Sequence, residues 1–102
     1  MRLTTFEIKA IHTLAQKNFG SNARVFLFGS RVNDDLKGGD IDLFVSCAVE
    51  TLLTLDRKIG LLVDLKKTIG DRKIDIVLDN ASTRSRESFY HSVTSTYIEL
   101  LP

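Results

Sequence analysis

The chain has one cysteine, Cys47, and one proline, Pro102, among 102 residues. A single thiol excludes an internal disulfide framework and any multi-cysteine zinc site, and it fits a reducing compartment. With proline only at the last position, no internal linker is marked by it. Charge of one sign is also lacking: 14 Lys and Arg stand against 13 Asp and Glu, a formal net charge of +1. Bulk charge therefore argues for neither a nucleic-acid nor a membrane partner. No apolar run approaches the roughly 18 residues needed to span a bilayer. The opening stretch MRLTTFEIKA contains Glu7 and lacks a long apolar core, so it does not read as a secretory signal. Repeats and low-complexity tracts are absent. The expectation is a soluble, cytoplasmic protein.

What is present is a core. Apolar residues make up 43% of the chain, and the length suits one domain, residues 1–102. Thr4 to Glu7 has the form of a capping box, and Phe6, Ile11, Leu14 and Ala15 follow at near-helical spacing, which predicts a helix from about Thr5 to Asn18 closed by Gly20. Ala23–Gly29 (ARVFLFG) reads as a strand, Val32–Gly39 as turn-rich, and Asp40–Cys47 (DIDLFVSC) as a second strand. Across Glu50–Gly70, Leu52, Leu55, Ile59, Leu62 and Ile69 form an apolar helical stripe. Gly60 lies within it, costing roughly 1 kcal/mol of propensity without breaking the helix. Arg72–Asp79 (RKIDIVLD) reads as a third strand, and Ser82 starts a last helix through about Tyr97. The order α-β-β-α-β-α predicts an α/β fold, a small mixed sheet of about three strands flanked by helices.

The strands carry the chemistry. Asp40 and Asp42 share one face of the second strand, with Cα atoms roughly 6.5–7 Å apart, while Ile41, Leu43 and Val45 take the other. Aspartate is depleted in strands, and two such charges repel. A hard divalent cation such as Mg²⁺ reverses the penalty. Asp75, between Ile74 and Ile76, repeats the signature on the third strand. Three carboxylates around one or two Mg²⁺ ions suit metal-assisted phosphoryl or nucleotidyl transfer. Gly29 ends the first strand, and Ser30 opens a turn or helix. Glycine allows close approach of a phosphate, free N–H groups at a helix start bind it, and the Ser30 hydroxyl and Arg31 add a hydrogen bond and a charge. No Gly-Lys-Ser/Thr follows, so this is not a Walker A loop.

Each feature has an ordinary reading when taken singly. Aspartate often begins strands, Gly-Ser is common turn chemistry, and Asp75 could face outward on an edge strand. In this order and at this spacing they make one constellation. His12 and His91 lack metal-ligand spacing, and Cys47 reads as a small packed group. Arg84 and Arg86, and the basic group Lys66, Lys67, Arg72 and Lys73, read first as solvated surface. Phe89, Val93, Tyr97 and Ile98 recur at helical spacing, either packing on the sheet, the preferred reading, or docking a partner.

The stretch GSRVNDDLKGGDIDL, with nine residues between Ser30 and Asp40, resembles the Gly-Ser and Asp-x-Asp pattern of the DNA polymerase β-like nucleotidyltransferase superfamily. KIDIVL resembles its third-aspartate strand. The small size is similar to the minimal nucleotidyltransferases, the MntA-type antitoxins paired with HEPN-domain toxins. The resemblance implies that Asp40, Asp42 and Asp75 bind Mg²⁺, with two ions expected, and that Asp75 is the base. It also implies that Gly29 and Ser30, assisted by Arg31, hold ATP. The expected reaction transfers AMP to a hydroxyl, in the MntA-type case a tyrosine of the HEPN toxin, in an oligomeric complex with that toxin. The alternatives are an antitoxin that neutralises by occlusion, or transfer to a small molecule. Nucleic acid and membrane are not expected as direct partners.

Overall fold

Helix α1 (Thr5–Phe19) starts at the predicted capping box. Thr4 Oγ1 accepts from the Glu7 N–H at 3.1 Å, and Glu7 Oε1 accepts from the Thr4 N–H at 2.9 Å. The computed structural model describes residues 3–29, 40–70 and 72–102. Strand β1 (Arg24–Phe28) and strand β2 (Ile41–Ser46) follow. A short 3-10 turn (Glu50–Leu52) then leads into helix α2 (Leu55–Ile69), strand β3 (Ile74–Leu78), helix α3 (Ala81–Arg84), helix α4 (Glu87–Thr96) and strand β4 (Ile98–Glu99). The turn expected at Val32–Gly39 lies outside the described residues.

The sheet runs β3-β2-β1-β4. β1 is antiparallel to both β2 and β4, whereas β2 and β3 are parallel, so the sheet is mixed. Alternation along the strands divides its faces. Val25, Leu27, Ile41, Leu43, Val45, Ile74, Ile76 and Leu78 point to the layer of α1 and α2, where Ile11, Ala15, Phe19, Leu61 and Leu65 complete the main core. On the opposite face, Phe26 and Phe44 meet Val93, Phe89, Tyr90 and Tyr97. Tyr97 stacks on Phe26 with ring centroids 4.2 Å apart. The Phe89–Val93–Tyr97 stripe is therefore core of the sheet's second face, as the preferred reading had it; Ile98 belongs to β4 instead.

Three local expectations change. The last helix is broken into two, and the Asn80 side chain, not Ser82, caps the first piece by accepting from the Thr83 N–H at 2.9 Å. A separate helix then begins at Glu87. The sheet has a fourth strand of only two residues, Ile98 and Glu99, too short for any alternation to announce it. Arg24 fastens it by two bonds to Glu99, at 2.8 and 3.0 Å. The apolar stripe of α2 is also out of phase. Leu52 sits in the preceding turn and Thr54 caps the helix; within α2 the core receives Leu61 and Leu65, which the expected stripe omitted, with Leu62 and Ile69 packed beside them. Leu55 and Ile59 are left 66% and 48% exposed.

Helices α1 and α2 lie close because Gly60 is a glycine: a Cβ there would sit 2.6 Å from Asn18 Oδ1. Asn18 is held by its bonds to the Leu14 carbonyl and to Asp64, at 2.9 and 3.1 Å. Glu7 ties the same layer to the sheet. It is buried, caps α1 with one oxygen, and accepts from the Arg72 guanidinium with the other. Replacing Glu7 with alanine removes a cap contact and a charge-assisted bond together. A loss of about 2 kcal/mol is expected, read as a lower urea midpoint with an unchanged slope.

Candidate functional site

Strand register brings the aspartates together. Asp42 lies opposite Phe28 of β1 and beside Asp75 of β3. Neighbouring strands are about 4.8 Å apart, so the two carboxylates share one spot on the sheet face. This is the face of Phe44 and α4; the flanking Ile41 and Leu43 are fully buried on the other. Asp42 is half-buried and Asp75 is exposed. Asp40 precedes β2, with its Oδ2 3.8 Å from Lys73 Nζ.

Burial pushes the Asp42 carboxyl above the ordinary carboxylate range, and the charges of Asp75 and then Asp40 push it further. A carboxyl–carboxyl hydrogen bond to Asp75 acts in the same direction, while Lys73 partly offsets them. This is the behaviour of like charges crowded in a poorly solvated place.

Gly29 closes the site from β1. Its φ is +78°, and a Cβ would lie 2.2 Å from Asp42 Oδ2. The residue must be glycine for both reasons, since a side chain there would be strained and would displace the carboxylate. Ser30 and Arg31, the other expected nucleotide-binding residues, lie outside the described residues, as do Gly38 and Gly39.

The expected three-carboxylate cage is not gathered. Among the described residues, no three His, Cys, Asp or Glu side chains converge closely enough to hold a metal ion as they stand. Asp42 lies in register with Asp75, and Asp40 faces Lys73. The donor set itself is all carboxylate oxygen, which suits a hard cation, and these three residues could hold one.

Two neighbours of the site escaped the sequence reading. Lys73 was grouped with the surface cations, although its place directly before Ile74 puts it beside Asp40. Phe28, in register with Asp42, is met edge-on by Phe89 at a centroid distance of 6.4 Å. The Arg86 guanidinium lies over the Phe89 ring, 4.3 Å from its centroid. The only signal for this wall was an aromatic directly before Gly29. Arg84 is structural, bonded to Asp79 and Glu50. Cys47 packs beside the main core, its thiol 3.5 Å from the Phe19 carbonyl.

The family model described as Polymerase beta, Nucleotidyltransferase matches residues 9–101. The chain belongs to this family, whose general chemistry is nucleotidyl transfer, and the mixed sheet between helices is consistent with its fold. A search among curated proteins found no match. Among the described residues no helix is long and apolar enough to cross a membrane.

A carboxyl whose folded pKa is raised binds its proton more tightly in the folded state. The stability it contributes is present below its unfolded pKa and is lost as pH rises through the folded one. Asp42 therefore weakens the fold at neutral pH. Asp42→Asn is expected to raise the melting temperature by a few degrees at neutral pH. The gain should fade as pH falls through the raised folded pKa toward 3.8, the carboxyl's ordinary value, and be gone below it. Thermal unfolding across that range reads both effects.

Proposed function

We propose that this chain transfers AMP from ATP to a hydroxyl of a partner protein, a tyrosine of a HEPN-domain toxin, and thereby serves as the antitoxin of the pair. The observation that carries the transfer reading is the register that sets Asp42 beside Asp75, with Asp40 two residues ahead, in a chain of the polymerase β nucleotidyltransferase family. The resemblance of GSRVNDDLKGGDIDL and KIDIVL to the minimal nucleotidyltransferases supports the toxin partner.

In this reading Asp40, Asp42 and Asp75 hold Mg²⁺, two ions being the expected number. When bound, magnesium supplies neutralisation of the triphosphate charge and activation of the attacking oxygen. Gly29 lets the chain approach the phosphates without a Cβ in the way, and Ser30 and Arg31 follow it as phosphate ligands. Asp75, on the open side of the pair, takes the proton of the acceptor hydroxyl. The hydroxyl oxygen bonds the α-phosphorus, the bond from that phosphorus to pyrophosphate breaks, and pyrophosphate leaves with the electron pair.

A second reading, neutralisation by occlusion with little transfer, is favoured by Lys73. Its ammonium already stands beside Asp40 and supplies part of the positive charge a cation would bring.

ATP is expected to bind with measurable heat only when Mg²⁺ or Mn²⁺ is present, because bare carboxylates repel a triphosphate. Equal affinity with and without chelator would overturn the metal-bridged site.

Transfer is tested by incubating the protein substoichiometrically with a HEPN toxin, ATP and Mg²⁺, then weighing the toxin by mass spectrometry. The expected result is a gain in AMP-sized steps, reduced at least about 100-fold in Asp40→Asn and Asp42→Asn, in line with the several kcal/mol that metal-assisted charge stabilisation supplies. Neutralisation of the toxin only at equal stoichiometry, with its mass unchanged, selects occlusion. Full activity in either variant removes that residue from the site.

A further inference from the structure

Strand β3 has β2 on one side and, among the described residues, no strand on the other. Its free side can be read from the ladder. The Ile41 N–H donates to the Lys73 carbonyl at 2.9 Å, and the Asp79 N–H donates to the Val45 carbonyl at 2.8 Å. Odd-numbered residues thus face β2, and the main-chain groups of Ile74, Ile76 and Leu78 point to the open edge. The Leu78 carbonyl accepts locally from the Asn80 N–H.

Helix α1 packs on β1 and helix α2 on β3, so α2 is the helix beside this edge. Lys66 of α2 reaches down to the Arg72 carbonyl at 2.8 Å. Leu55 lines a groove of about 300 Å³ together with Ile76, Val77 and Leu78, with the cations Lys58 and Arg86 also on its wall. Ile59 and Val63 follow Leu55 at four-residue spacing along the helix, the three being 48%, 45% and 66% exposed in that order. An open edge beside an apolar helix flank is an association surface unless it is blocked by charge or proline. Here no proline intervenes, and the charges along the strand are of both signs, Lys73 against Asp75 and Asp79.

We infer that the occupant of this edge is a second copy of the same strand, paired antiparallel about a two-fold axis at Ile76. The strand KIDIVLD is self-complementary in that register. Ile76 meets its own counterpart with both N–H and carbonyl groups directed outward, which makes a hydrogen-bonded pair. Ile74 meets Leu78, and Lys73 of one copy meets Asp79 of the other at both ends. Lys73 is 70% exposed. The Asp79 oxygens, bonded to Arg84 and Ser46, each keep one acceptor site. The same axis brings the Leu55–Ile59 flanks of the two α2 helices toward each other, and it places Asp75 across from Val77 of the second copy. A paired strand with matched charges at its ends and an apolar layer alongside has the parts of an isologous interface.

The inference stands independently of the toxin reading. Light scattering with size exclusion on the full chain at high micromolar concentration should give twice the 11.4 kDa chain mass. Hydrogen exchange should show the Ile74 and Ile76 amides protected. Ile59→Glu and Leu55→Lys change exposed residues and should each give the single-chain mass, with an unchanged melting curve at low concentration and fast exchange at those two amides. A single-chain mass for the wild-type protein, a double mass that persists in both variants, or a double mass with the Ile76 amide exchanging freely would each overturn it. Protection of β3 that appears only on addition of a HEPN toxin would assign the edge to a foreign strand and also overturn it.

Discussion

The parallel pairing of β2 with β3 forces Asp42 against Asp75, and much of the molecule answers that constraint. Parallel strands in this register leave no choice of partner, because residues at equivalent ladder positions share a face. The resulting crowding is tolerable for physical reasons that can be named. Burial and crowding favour the protonated form of Asp42, Lys73 lies close enough to offset part of the charge, and Asp75 stays in water. Gly29 presents no Cβ, so β1 can close over Asp42 without pushing it into its neighbour. Loss of any of these would leave a half-buried charge with fewer ways to be satisfied.

The sheet meets this cost by keeping its two faces different. Toward α1 and α2 it is aliphatic and tightly buried, with Leu27, Ile41, Leu43 and Val45 all inaccessible. Burial there, at about 25 cal/mol per Å² of apolar area, is where the stability lies. Toward α4 the contacts are aromatic and confined to one part of the face: Phe26, Phe44, Tyr90 and Tyr97 near its middle, then Phe28 and Phe89 at the margin of the carboxylates. Large rings cover area with few residues, which lets a small sheet spare part of one face for polar groups.

Much of this was legible because it rests on local pattern. The capping box at Thr4 and Glu7, the three main strands and the paired aspartates each follow from a period of two or from a cap of fixed spacing. Gly29 was legible as a residue of close approach, but what approaches it in the fold is Asp42. What could not be read depends on distance in sequence. Lys73 beside Asp40, Arg72 on Glu7 and the fastening of β4 by Arg24 are long-range pairs with no local signature. The error in α2 has another origin. The stripe read there joined Leu55 and Ile59 to Leu62 and Ile69 and passed over Leu61 and Leu65, the two residues the helix turns fully inward, so its centre was misplaced on the helix face.

Position in the sheet also separates the two paired carboxylates by role. β2 is an interior strand, so Asp42 has neighbours on both sides and is the member that burial drives toward the protonated form. β3 is the outer strand, so Asp75 meets solvent and whatever approaches from that side. Asp42 therefore holds a proton more tightly than an ordinary carboxyl does. Strand order thus sets which of the two carboxylates is shielded and which stays in water.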